Sequence, residues 1–295
     1  MKRCRGCWII LWLLSAAAGC RHTYDAPPTL ITPPDKHSVR SDRLLVQSDF
    51  QLPKDHPLIA DLVRLRGQVS EVLNLPEQQK EVVVYLFAGE MEYTRYLDAT
   101  YPGLPKRRAY FVGTPRELAV YTYWGKRIQE DLRHEYTHGL LHACLKQVPL
   151  WLDEGLAEYF EVVGSKPGEV NVDYAQNLLT LLGNGWRPDL RRLEGLHKFE
   201  QMQRIDYQEA WAWAHFMLHS SPDTRQVLVS YLADLQTEEN PTPLSVRLER
   251  NGLRVEDRFL NYIATLRTTR LVNESISSAD AHNRHVDVEY RVRER

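Results

Sequence analysis

His134-Glu135-Tyr136-Thr137-His138 is a pentapeptide whose residue types and spacing point to metal chemistry. On a helix, four residues advance the axis by about 6 Å and return to nearly the same face, so both imidazoles can reach one ion. Glu135 stands beside the first histidine, where its carboxylate can reach a metal-held water without ligating. After a short turn, Pro149 opens a second helix that reads Leu150-Trp151-Leu152-Asp153-Glu154-Gly155-Leu156-Ala157-Glu158-Tyr159. The first helix climbs about 10 Å from His138 to Leu145 and the second descends about 8 Å by Glu154, so that carboxylate returns to the height of the histidines. His134, His138 and Glu154 thus form a His2Glu set suited to a catalytic zinc, with the fourth position left for water. Glu158, one turn further along the same face, is placed to hold the free ring nitrogen of a ligand histidine and fix its tautomer.

The remaining histidines read differently. His142 extends the row but lies about 6 Å above His138, which makes it an outer or structural group. The metzincin pattern is excluded, because it needs a third histidine six residues after the second, where this chain has Cys144. Cys144 lies off the ligand face and reads as a buried thiol. His215 and His219 are also four apart, yet no glutamate adjoins them, and Trp211, Trp213, Phe216 and Met217 around them give a core reading.

The pair HEYTH and WLDEGLAEYF resembles the gluzincin metallopeptidases, whose pattern is HExxH followed by a glutamate ligand in an E-G-x-A context. The likeness is nearest to small peptidase-MA-like bacterial proteins, covers Arg133 to Phe160 and extends weakly to Tyr207-Gln208-Glu209-Ala210-Trp211. It implies zinc on His134, His138 and Glu154, and hydrolysis of peptide bonds by a metal-bound water with Glu135 as general base. It also implies that Tyr207, like a tyrosine opening a similar helix in related aminopeptidases, donates a hydrogen bond to the tetrahedral oxyanion. Gly89-Glu90-Met91-Glu92-Tyr93 superficially resembles a substrate-gripping segment of those enzymes and is read as a decoy. The competing expectation is a lipoprotein that keeps the zincin fold but acts as a catalytically weak or inactive binding or assembly module.

These residues need a scaffold, and the pattern supplies one. Leu44 to Phe50, Val82 to Phe87, Arg108 to Val112 and Glu117 to Tyr123 carry strand character, with helical spacing at Leu58 to Leu73 and Met91 to Leu97. From Gly125 onward helical periods dominate: about Arg127 to Lys146, Pro149 to Val163, Asp173 to Leu182, Tyr207 to Ser220, Thr224 to Leu235, Pro243 to Glu249 and Val255 to Thr269. A small mixed sheet followed by a helical half is an α+β arrangement, zincin-like, with the active-site helix at the junction. The expected division is an α/β subdomain at 44–125, a helical subdomain with the metal site at 126–271 and a flexible tail at 272–295. The apolar strand Glu117 to Tyr123, just before the metal helix, is expected to offer its edge to an extended peptide.

The first residues read as an address. Lys2, Arg3 and Arg5 precede an apolar run from Trp8 to Ala18, too short for a spanning helix of about 20 residues and suited to a signal peptide, 1–19. Ala17-Ala18-Gly19 before Cys20 resembles the bacterial lipoprotein processing box, which implies a lipidated Cys20 and an extracytoplasmic, membrane-anchored protein. Residues 20–43, with Pro27, Pro28, Pro33 and Pro34, read as a tether. The whole chain has 37 Lys and Arg against 39 Asp and Glu, a formal charge of −2, so no basic field points to nucleic acid. The expected partners are a peptide or protein substrate and a membrane.

Overall fold

In the computed structural model, residues 31–77, 80–164, 166–250 and 255–266 are described. The signal peptide, Cys20 and the tail at 272–295 lie outside them. The chain forms a five-stranded mixed sheet in the order β1 (His37–Ser41), β2 (Leu44–Ser48), β3 (Val82–Phe87), β5 (Leu118–Tyr123), β4 (Ala109–Gly113). β2, β3 and β5 run parallel at the centre, and β1 and β4 pair antiparallel at the two edges. β3 reads as an unbroken apolar run because parallel central strands are covered on both faces. Helices α1 (Pro57–Leu73) and α2 (Glu90–Thr100) alternate with the strands. Then come α3 (Ile128–Cys144), α4 (Leu150–Glu161), α5 (Val172–Gly183), α6 (Leu190–Glu194), α7 (Arg204–His219), α8 (Pro222–Leu235) and α9 (Leu244–Arg250), and residues 255–266 are also helical. The fold is α+β, and a single core cluster runs from Leu44 to Leu266.

Three sequence expectations need correction. The tether does not extend to residue 43: His37–Ser41 is a strand, held by its hairpin with β2, although its burial pattern is largely exposed and gives little apolar signal. β5 is interior, because β4 turns back through Thr114 and covers the edge that would have received a peptide. Cys144 is half-buried, with Sγ 3.5 Å from the Pro76 carbonyl. The five-residue α6, opened by the Asp189 side chain accepting from Arg192 N, is too short to show a period.

The scaffold fixes α3 against α4. Arg133, 4% exposed, donates through Nε to the Phe160 carbonyl at 2.9 Å and through Nη1 to Asp61 Oδ1 at 3.1 Å, which joins α3 to the end of α4 and to α1. Gln129 donates to the other Asp61 oxygen at 3.0 Å. On its far side α4 packs on α7 so closely that a Cβ on Gly155 would stand 2.5 Å from the Ala210 carbonyl oxygen. The glycine beside Glu154 is therefore required by backbone approach. Gly155→Ala is expected to lower stability in denaturant unfolding by about 1–3 kcal/mol. Gly183→Ala, where nothing lies within 4 Å, should leave it unchanged or slightly higher.

Candidate metal centre

α3 and α4 run antiparallel, so residues early in α4 face late α3 and residues late in α4 face early α3. His138 and His142 accordingly meet Asp153, both histidines of the pentapeptide meet Glu154, and His134 meets Glu161. His134 Nε2 and His138 Nε2 are 3.3 Å apart, and Glu154 Oε2 lies 3.5 Å from the first and 4.0 Å from the second. A tetrahedral ion with ligands at about 2.0–2.2 Å places its donor atoms roughly 3.3–3.6 Å apart. Glu154 is 1% exposed, and its Oε2 has no hydrogen-bond partner. A buried carboxylate oxygen left in that state would carry a large desolvation penalty without a cation, so the donor set fits one.

Each ring has a carboxylate oxygen close to its Nδ1. His134 Nδ1 meets Glu161 Oε2 at 2.9 Å, and His138 Nδ1 lies 3.0 Å from Asp153 Oδ1, an ion-pair contact off the hydrogen-bond axis. A carboxylate against Nδ1 keeps the proton there and leaves the Nε2 lone pair for the ion. With no ion, protons fill the site. Burial pushes His134 toward neutrality, but Glu154 and Glu161 outweigh it and hold it well above the usual histidine range. His138 is likewise opposed by burial yet raised to about 9 by Asp153. Asp153, opposed by burial in turn, is held below the usual carboxylate range by His138 and His142.

The structure gives the outer position expected of Glu158 to Glu161. Glu158 stays close to both His134 and Glu161, but its Oε2 is buried without a hydrogen-bond partner, and burial, with Glu161 next, pushes it up to about 8. Asp153 and Glu161 were missed in the sequence, and His142 has the outer role expected, bound to Asp153 Oδ2 at 3.0 Å. His215 is buried and bonded to Tyr262 and Gly168, whereas His219 is exposed and bonded to Tyr159.

Two of the three candidate ligands, His134 and Glu154, open onto a cavity of 760 Å³, whose walls also include Glu135, Tyr207, Arg107 and Tyr93. Glu135 Oε2 accepts from the Phe111 N–H at 2.7 Å, so the edge strand β4 fixes one oxygen of the carboxylate. Tyr207 stands in the first turn of α7 and lines the cavity together with Arg107, whose positive charge acts on its hydroxyl. Burial first, then Glu154, raises the Tyr207 pKa and keeps the hydroxyl a donor. Glu90, from the decoy segment, opens α2 and also lines the cavity.

Residues 130–242 match a family model described as Protein of unknown function (DUF1570). The DUF1570 match contains the three ligand candidates, Glu135, Asp153, Glu161 and Tyr207, and leaves out the sheet and Arg107. No curated protein matches the chain.

Three outcomes follow from this geometry. The charged histidines must lose protons when an ion enters, so a divalent metal titrated into metal-free protein at pH 7 is expected to release protons. Because the folded pKa of His138 is raised to about 9, protons compete with the ion throughout the range below that value, and affinity should rise with pH up to about 9. Calorimetry in buffers of different ionisation enthalpy checks both. Glu161→Gln should weaken metal affinity about 10- to 100-fold in a chelator competition, more than Glu158→Gln.

Proposed function

We propose that the protein is a zinc-dependent peptidase of the gluzincin type. The observation that carries this reading is the unpartnered Glu154 Oε2, buried opposite two imidazole nitrogens at the floor of a cavity that Glu135 and Tyr207 also line. Held by His134, His138 and Glu154, zinc would supply Lewis-acid polarisation of water and of the scissile carbonyl. Glu135 takes the proton from the attacking water on Oε1 while the Phe111 N–H steadies Oε2, and the same carboxyl returns a proton to the leaving amine. Tyr207 donates to the oxygen of the carbonyl as negative charge gathers there. A binding or assembly module on the same fold has no need of a carboxylate steadied beside the ligands. The N-terminal pattern supports tethering through a lipidated Cys20 at an extracytoplasmic membrane face.

Glu135→Gln is expected to keep full zinc occupancy and lower kcat by about 10²- to 10⁴-fold. Tyr207→Phe should lose about 10²- to 10³-fold in kcat, and His138→Ala should lose the metal. A mixed fluorogenic peptide library, read with and without chelator beside metal analysis of each variant, checks all three. Silence of the zinc-loaded wild type would contradict the reading.

A further inference from the structure

The cavity beside the metal centre carries an uneven set of charges. Two of its cations are already matched: Arg108 makes a forked pair with Asp131, and Arg127 is paired with Glu130. Among the described residues, Lys106, Arg107 and Arg204 also line the cavity and have no carboxylate within ion-pair distance. Arg204 opens α7. Arg107 shares the cavity wall with Tyr207 and Glu154, and its charge is felt by Tyr207. Its guanidinium lies 5.9 Å from the ring centres of both Tyr110 and Phe199, shares the cavity wall with Tyr207, and its backbone carbonyl accepts from Tyr93 at 3.0 Å, which anchors the segment that carries it. A guanidinium has five donors in a planar fork that matches a carboxylate. Lys106 adds a second positive charge on the same segment.

We propose that Arg107, reinforced by Lys106, is a carboxylate-binding subsite that selects peptides bearing an anionic group close to the bond held at Tyr207. The inference rests on the peptidase reading and names a substrate class for it. The carboxylate comes either from the C-terminus of a short peptide or from an Asp or Glu side chain. Both present the same two oxygens to the fork. Arg107 therefore acts as a specificity residue that touches substrate, apart from proton transfer at Glu135.

The test uses the full zinc-loaded chain with Glu135→Gln, so that ligands persist, and three probes: acetyl-Ala-Phe-Ala with a free C-terminus, the same peptide amidated, and acetyl-Ala-Phe-Glu-amide. Calorimetry is expected to show at least one carboxylate probe binding about tenfold tighter than the neutral amide, the size of one charge-assisted hydrogen bond. Which probe gains identifies the source. Adding Arg107→Met should erase the preference while the amide still binds, and Arg107→Lys should restore part of it. Equal binding of the three probes, absence of binding, or a preference that survives Arg107→Met in a folded variant overturns the proposal. Carboxylate-selective binding without hydrolysis by the wild-type chain would contradict the peptidase reading alone. Hydrolysis indifferent to the carboxylate would contradict the subsite alone.

Discussion

Three electron-rich atoms, two imidazole nitrogens and one carboxylate oxygen, are held within 4.0 Å of one another at the inner wall of a cavity. Protons or a cation shared among them relieve that crowding. Much of the surrounding structure serves to keep the three atoms there. Arg133 fixes the pitch of α3 against α4, Gly155 lets α4 settle against α7, and Asp153 and Glu161 hold the two rings from behind. The raised histidine pKa values and the orphaned Glu154 oxygen are two views of one crowded, anionic site.

The sheet reaches the site by a different route. Its last paired strand, β4, lies beside α3 and gives one backbone N–H to Glu135, so the carboxylate next to the first ligand is steadied by main chain. The loop before β4 carries Arg107 over to Tyr207 and Phe199, which bridges the strand-bearing and helical parts at the cavity. The sheet thereby steadies one carboxylate and places one cation around the donors that the helices supply.

Spacing made the centre legible in the sequence because it depends on helix geometry alone. His134 and His138 share a face, and Glu154 returns to their height after one turn of chain; the distances agree. Glu161 was readable by the same rule and was overlooked. Seven residues rotate by about 700°, some 20° short of two full turns, whereas four overshoot one turn by about 40°. Glu161 therefore stands closer than Glu158 to the face of Glu154, and it reaches His134. Asp153 gave no such signal, since adjacent helical residues diverge by about 100°, and only the actual packing of α4 shows that it meets His138 from the side. The elements that depend on partners more than on period, β1 and α6, were not legible, and the edge position of β4 followed from pairing order, which no local pattern encodes.

X-ray absorption of the purified, zinc-loaded chain addresses the central claim most directly. The account predicts one ion per chain with two imidazole nitrogens and two further nitrogen or oxygen donors at about 2.0–2.2 Å, and no sulfur scatterer. A zinc–sulfur distance near 2.3 Å, or no stoichiometric ion under mild purification, would contradict it.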